Sequence, residues 1–257
     1  MKDNQNIYKF NPLVVKMLYL IGLGLGNEKD LTLNSIEVLK NCKYIYLESY
    51  TSKINFNIEN LEKLIQNKII LADRNLIENK AEEILNKEKE NVALLIKGDI
   101  FSATTHIDLF LRAKEKNIEI KILHNSSILT AVGDCGLSLY NFGKVSSIPF
   151  NNENIETPLK NLKNNLSLGL HSLFLLDLNN NNFMNFKEAL KYLLKEISEE
   201  TYCIILADLG NENIIKYGKV KDLLKLEIEL YPQSVIIPGK MHFMEEEMLN
   251  TFKISSI

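Results

Sequence analysis

The feature that most constrains the fold is the alternation of short apolar runs with segments of helical period between residues 17 and 150. Val92–Ile96 is apolar throughout, as expected of a strand that is covered on both faces of a parallel sheet. Helices separate further predicted strands at Met17–Ile21, Tyr44–Leu47, Ile69–Leu71 and Ile118–Leu123. Strands that alternate with helices favour a mostly parallel sheet, so this half of the chain is predicted to be an α/β domain.

The helical segments of this half carry apolar residues at helical spacing. Thr32 is a plausible N-cap for the first helix, and another helix presents residues from Leu76 to Leu85. The segment Thr105–Lys116 places a stripe at i, i+3, i+4 and i+7, formed by Ile107, Phe110, Leu111 and Lys114. This stripe is predicted to be the face that packs on the sheet.

The second half predicts a different sheet. Predicted strands Ser172–Leu178 and Cys203–Leu209 flank a helix over Phe186–Ile197, and two more follow closely at Ile214–Val220 and Val235–Ile237. Such short connections suit a mixed sheet with hairpin-like returns. Pro149 and the polar run 151–158 mark the boundary, which predicts α/β domains over 17–150 and 151–257 with a cleft between them. Residues 1–16 are expected to form an extension ahead of the first strand.

Composition excludes several classes of function. The net charge of −3 argues against a nucleic-acid partner, whose binding domain is usually strongly basic. No apolar run reaches the ~18 residues that a membrane span needs, and no signal-peptide core is evident, so no membrane association is expected. Cys42, Cys135 and Cys203 have no metal-ligand spacing and lie in apolar contexts, which predicts buried thiols, no metal and a cytoplasmic protein.

Three polar segments follow predicted strands, where ligands of open α/β sheets bind. The turn Gly22–Gly26 has GxGxG spacing, and Glu48 stands where a ribose-binding acid could lie, so nicotinamide binding and a purely structural turn both remain open. Asp99 could accept hydrogen bonds from a ligand, or Asp99 could be a turn residue with Thr104 or Thr105 as a helix cap.

The third segment follows the last predicted strand of the first half. Ser126 or Ser127 is a natural N-cap, and amide groups at that helix start could hold a ligand carboxylate. His124 is expected to bond a nearby loop, and His171 to lie near the surface. The acidic run Glu245–Glu247 is expected to be a solvated helix face.

Six segments of the chain share a pattern with a known family. They are LYLIGLGLG (Leu18–Gly26), LESYTS (Leu47–Ser52), KGDIFSATTH (Lys97–His106), GDCGLSLYNFG (Gly133–Gly143), GLHSLFLLDL (Gly169–Leu178) and IIPGKMHFMEEEML (Ile236–Leu249). In this order and spacing they resemble the diphthine synthase family, within the tetrapyrrole-methylase-like methyltransferases.

The resemblance implies two α/β domains, a homodimer, and S-adenosyl-L-methionine bound in the cleft and released as S-adenosyl-L-homocysteine. It implies methylation of a 3-amino-3-carboxypropyl-histidine on translation elongation factor 2, to diphthine or to its methyl ester, with the ester favoured because GDCGLSLYNFG resembles eukaryotic members. The residues that it places at the cofactor are Leu25, Asp99, Ser102, Ser127, Ile128, Leu176, Leu209 and Gln233. It names no catalytic residue.

Three positions depart from the family pattern. Ile100 follows Asp99 where the family usually has Pro, Asp208 stands where many members have Arg, and Gln233 aligns with a His that contacts the cofactor. These changes leave open a protein that binds the cofactor without turnover. The resemblance to the wider superfamily leaves open a second alternative, a methyltransferase that acts on a precorrin-type small molecule.

Overall fold

The first half of the chain folds into a parallel sheet, as its alternating strands and helices predict. The computed structural model describes residues 17–50, 57–87, 90–102, 106–179 and 182–255. The strands of this sheet are β1 Met17–Gly22, β2 Tyr44–Glu48, β3 Ile70–Ala72, β4 Val92–Ile96 and β5 Glu119–Leu123. They lie in the order β3-β2-β4-β1-β5, and every pairing is parallel. The connections leave β1 and β4 in opposite directions, which makes the carboxyl ends of these two strands the switch point where ligands bind in such sheets.

Helices cover both faces of this sheet, which explains why β4 is apolar at every position. The helices are α1 Leu33–Lys40, α2 Ile58–Ile65, α3 Glu82–Leu85 and α4 Ile107–Glu115. Leu94 packs in a core with α3 and α4, whereas its neighbour Leu95 packs in a core with α1 and α2. Thr32 caps α1 as predicted, because its Oγ1 accepts a hydrogen bond from the Ser35 N–H at 3.1 Å.

The second half forms a mixed sheet, also as predicted. Its strands are β6 Ser146–Ile148, β7 Ser172–Leu176, β10 Tyr202–Ala207, β11 Ile214–Lys219 and β12 Gln233–Ile237, in the order β11-β10-β12-β7-β6. Only the β6–β7 pairing is parallel within this sheet. A separate two-stranded ribbon joins β8 Leu178–Asn179 and β9 Asn182–Phe183.

Two layers cover the second sheet. One face packs against α6 Thr157–Ser167, α7 Phe186–Leu193 and α8 Val220–Leu223. The other face packs against α5 Ile128–Ala131, α9 Phe243–Thr251 and buried side chains of the segment between α5 and β6, among them Val132, Cys135 and Leu137. Ser146–Ile148 thus pairs in the second sheet although it precedes residue 150; the division of domains at that residue stays a prediction. The predicted extension 1–16 lies outside the described residues.

Two helix predictions need correction. In α4 the buried residues are Leu109 and Ala113, while Ile107 and Leu111 of the predicted stripe are more than half exposed. Apolar residues occupy both sides of this helix, so spacing alone could not identify the side that meets the sheet. The helix predicted from Leu76 to Leu85 is interrupted: a π-helical turn Asn75–Asn79 ends at Lys80, and α3 begins at Glu82.

Two polar side chains were placed wrongly at the surface. His171 has 0% of its surface exposed, and its Nδ1 accepts a hydrogen bond from the Gly239 N–H at 2.9 Å. Its Nε2 lies 3.3 Å from Glu245 Oε1. Glu245 is also buried, and the N–H groups of Ser138 and His242 donate hydrogen bonds to its carboxylate, which compensate for the loss of water. The three cysteines are free and buried as predicted.

Candidate functional site

A cavity of about 260 Å³ lies between the two sheets, at the carboxyl ends of β1, β4 and β5. Seven of the eight residues predicted to hold a cofactor line it: Leu25, Ser102, Ser127, Ile128, Leu176, Leu209 and Gln233. The first four come from the first half of the chain and the last three from the second. The fold therefore brings together residues that are as much as 208 positions apart, since 233 minus 25 is 208.

The glycine turn after β1 lies where the two halves of the chain meet, and its Leu25 lines the cavity. Gly24 and Gly98 exchange backbone hydrogen bonds at 3.1 and 2.9 Å, which joins the ends of β1 and β4. Across the cleft, Gly210 has φ +95°, and a Cβ there would lie 2.6 Å from Leu25 Cβ and 2.9 Å from Gly26 N. Only glycine fits this conformation and this distance without displacement. Glu48, considered above as a ribose-binding acid, accepts a hydrogen bond from the Tyr50 N–H at 2.7 Å instead.

Asp99 is the predicted site residue whose side chain is not part of the described cavity wall. Its Oδ2 accepts hydrogen bonds from the Asn125 N–H at 3.1 Å and from His124 Nδ1 at 2.8 Å, so it joins the loop after β4 to the loop after β5. Burial opposes ionisation of this carboxyl, but these hydrogen bonds outweigh burial and hold its pKa below the ordinary value. The expectation that His124 bonds a loop residue is confirmed. Thr104 and Thr105, considered as caps, lie outside the described residues.

Lys97 is a wall residue that sequence reasoning missed. Its Nζ donates a hydrogen bond to Gly26 O at 2.6 Å. Burial lowers the pKa of Lys97 to about 8, while attraction to the carboxylates of Asp30 and Asp208 acts in the opposite direction. Asp208, one of the departures from the family pattern, thus faces a cation from the other half of the chain. The sequence does contain a signal for Lys97 as a site residue, because Lys97 directly follows the most apolar predicted strand.

Ile100 and Gln233, the other two positions that depart from the family pattern, have structural roles. Ile100 is fully buried in the core between the first sheet and helices α3 and α4. Gln233 lines the cavity, but its Oε1 accepts a hydrogen bond from the Phe186 N–H at 2.8 Å and its Nε2 donates to two carbonyl oxygens. A ligand that accepts from Nε2 must therefore replace one of those bonds, whereas the amide oxygen has a second lone pair that can accept a further hydrogen bond.

A cluster of Tyr50, Arg74 and His106 lies at one end of the site, and sequence reasoning missed it as well. Tyr50 and Arg74 line the cavity. The guanidinium carbon of Arg74 lies 5.1 Å from the centre of the Tyr50 ring, and the His106 ring lies 6.5 Å from the same centre. His106 is 1% exposed, and neither of its ring nitrogens has a hydrogen-bond partner among the described residues.

The buried His106 predicts a loss of stability in acid. Burial lowers its pKa to about 4 from the ordinary 6.5, so between these values the unfolded chain binds a proton that the folded protein excludes. The free energy of unfolding should therefore fall as the pH drops from 6.5 to 4, by at most about 1.4 kcal/mol per pH unit from this group. We expect His106→Leu to have a shallower acid-side loss in urea unfolding measured at stepped pH. An unchanged slope in the variant contradicts this assignment.

The described ranges contain no group of three or more His, Cys, Asp or Glu side chains arranged to hold a metal ion. None of the helices in them combines the length and apolar character that crossing a membrane requires.

Comparison with known proteins gives a consistent result. The sequence profile of the tetrapyrrole (corrin/porphyrin) methylases matches residues 17–223. Diphthine methyl ester synthase of Dictyostelium discoideum is 39% identical over 93% of this chain and 98% of its own length. The enzyme of that name from Schizosaccharomyces pombe is 49% identical over 63% of this chain, and the match spans 58% of that relative.

A solved structure of a diphthine synthase shares the fold. It superimposes with a TM-score of 0.86 at 31% identity, over 92% of this chain and 96% of the solved chain. The likeness thus extends across both sheets and the cavity between them.

Proposed function

Because the chain belongs to the tetrapyrrole methylases, and within them to the diphthine methyl ester synthases, we propose that it is an S-adenosylmethionine-dependent methyltransferase. Its proposed acceptor is the 3-amino-3-carboxypropyl group on the modified histidine of translation elongation factor 2. One observation supports this most directly: seven residues placed at the cofactor by the family resemblance lie on the wall of a single cavity between the two sheets.

The wall has the chemistry that the methyl donor requires. Leu25, Ile128, Leu176 and Leu209 offer apolar surface for the adenine and ribose carbons, and Ser102 and Ser127 offer hydroxyl groups. Gly98, at φ +81°, brings a backbone segment onto the wall without a side chain. A mostly apolar pocket with a few placed polar groups is typical of cofactor sites.

The chain's contribution to the reaction is binding, orientation and exclusion of water. S-adenosylmethionine, when bound, supplies a methyl group activated by a positively charged sulfur. The acceptor amine would take the methyl group with its lone pair while the electrons of the C–S bond stay on sulfur. Each of the first two N-methylations would release one ammonium proton to solvent; the third, which gives a quaternary ammonium, and ester formation on the carboxylate would release none. Holding the reacting atoms in line can lower such a barrier by up to ~7–11 kcal/mol, so rigid walls from both halves matter more than a dedicated base.

The finer parts of the proposal concern product, assembly and location. We infer methyl ester formation as the last step, as the names of the curated relatives indicate. We infer a homodimer because exposed apolar side chains cluster where the turn Leu139–Asn141 meets the start of α9: Leu139, Tyr140, Phe243 and Met244. A cytoplasmic location fits the three free thiols and the proposed translation-factor acceptor.

Intact-mass analysis of elongation factor 2 tests the function. The factor carrying the 3-amino-3-carboxypropyl group is incubated with the protein and S-adenosylmethionine, and we expect successive single-methyl increments at the modified histidine. A fourth increment that mild alkali removes identifies the ester. Transfer to precorrins instead of the factor supports the small-molecule alternative, whereas calorimetric binding of the methyl donor without transfer to either acceptor supports a non-catalytic protein.

A further inference from the structure

We propose that Arg74 binds the carboxylate of the acceptor group during the N-methylation steps and thereby directs its amine to the methyl donor. This inference rests on the proposed function and concerns the same cavity. The amine and the carboxylate of a 3-amino-3-carboxypropyl group are attached to one carbon atom. A side chain that holds the carboxylate therefore also restricts the positions that the amine can take.

The charges on the described cavity wall single out Arg74. The positively charged wall residues there are Lys97 and Arg74. Lys97 is 8% exposed, donates to Gly26 O and is attracted by Asp30 and Asp208, so its charge is already compensated within the protein. The Arg74 side chain is 63% exposed, and its ion pair is a long one, 3.7 Å from Nε to Glu78 Oε1. No shorter ion pair joins Arg74 to a carboxylate among the described residues, so its guanidinium is the less compensated of the two cationic groups on the wall.

The surroundings hold the guanidinium in place for this task. It lies over the Tyr50 ring, at 5.1 Å from the ring centre, and such stacking restrains a side chain that is otherwise flexible. His106 lies beyond Tyr50 and is uncharged at neutral pH, since its pKa is lowered by burial. The planar fork of an arginine matches a carboxylate with two parallel hydrogen bonds, which a lysine cannot reproduce.

The position of Arg74 in the fold separates it from the residues expected at the methyl donor. Tyr50 follows β2 and Arg74 follows β3, whereas Leu25, Ser102 and Ser127 follow β1, β4 and β5. In the strand order β3-β2-β4-β1-β5, the Tyr50 and Arg74 end is thus lateral to the switch point. An acceptor that enters from this side meets Arg74 before it meets the methyl donor.

The chain offers a matched control, because Arg112 is its other arginine. Arg112 lies on α4, pairs with Asp108 at 2.7 Å and is not among the cavity-lining residues. Methyl transfer and calorimetric affinity for S-adenosylmethionine are measured for the wild type, Arg74→Gln, Arg74→Lys and Arg112→Gln. We expect Arg74→Gln to raise KM for modified elongation factor 2 about tenfold or more, with unchanged affinity for the methyl donor. Arg74→Lys should recover part of the loss, and Arg112→Gln should match the wild type.

A second measurement separates recognition of the carboxylate from a general effect. Binding of the protein, loaded with S-adenosylhomocysteine, is compared for elongation factor 2 that carries diphthine and for the factor that carries its methyl ester. The wild type should prefer the free acid, and Arg74→Gln should lose that preference. An active wild type with no change in Arg74→Gln, or an Arg74→Gln variant that loses affinity for the methyl donor, overturns the inference. A wild type that transfers no methyl group to the factor overturns the proposed function instead.

Discussion

Replacing Asp99 by Ala should weaken the binding of S-adenosylmethionine about 100-fold while the protein stays folded. The carboxylate ties the loop after β4 to the loop after β5 through the Asn125 N–H and His124. These loops carry Ser102 and Ser127 on the cavity wall. Without the carboxylate the two loops lose their connection, so binding of the methyl donor must also bring them back into position; a cost of about 2.7 kcal/mol for this corresponds to about 100-fold in affinity.

The measurement is calorimetric titration with the methyl donor, together with urea unfolding to show that the variant is folded. Asp99→Asn keeps one oxygen for the Asn125 N–H, so we expect an intermediate loss. His124→Ala removes only the imidazole partner, whose side chain is 67% exposed, and should have a small effect. Unchanged affinity in Asp99→Ala removes Asp99 from the site.

Replacing Gly210 by Ala should separate the two halves of the cavity wall. The residue has φ +95°, and its new Cβ would lie 2.6 Å from Leu25 Cβ and 2.9 Å from Gly26 N. The strained backbone and the two contacts together should cost about 3 kcal/mol, which corresponds to a fall in Tm of about 6–12 °C for a chain of this size. Because Leu25 and Leu209 both line the cavity, the displacement should also abolish measurable binding of the methyl donor.

Gly133→Ala provides the control for this variant. A Cβ at Gly133 would lie 3.8 Å from the Leu139 side chain, which is an ordinary contact. We expect the control to retain the Tm of the wild type or to exceed it slightly, since alanine restricts the unfolded chain more than glycine does. Thermal unfolding and titration of both variants check the prediction, and a Gly210→Ala protein that binds the methyl donor like Gly133→Ala contradicts it.

The first sheet could be predicted from the sequence because its signal is local. Strands such as β4 are covered on both faces, so every position is apolar and the run is visible without knowledge of its partners. The orientation of α4 could not be predicted in this way, because apolar residues occur at helical spacing on two sides of it. Leu109 and Ala113 lie on the buried side, and Ile107 and Leu111 lie on the exposed side. The burial of His171 and Glu245 depends on a contact between residues 74 positions apart, which local pattern does not contain.

Part of the candidate site could likewise be predicted from the sequence, and part could not. The family resemblance indicated seven residues that the fold brings to one cavity, but Arg74, Tyr50 and Lys97 were missed. Each of these three follows a strand of the first sheet, and the rule that ligands lie beyond the carboxyl ends of strands applies to them as much as to Asp99. Asp208 could be understood only with Lys97, since the two come from different halves of the chain.

The segment between α5 and β6 has a consequence for how this protein attains its native state. Val132, Cys135 and Leu137 precede the polar boundary run, yet they complete the core on one face of the second sheet. A fragment that stops at residue 150 would therefore present these side chains to water, and the remaining fragment would lack part of its covering layer. The chain passes from one core to the other between β5 and α5, so most of the segment 126–150 belongs with the second sheet and is expected to fold together with it.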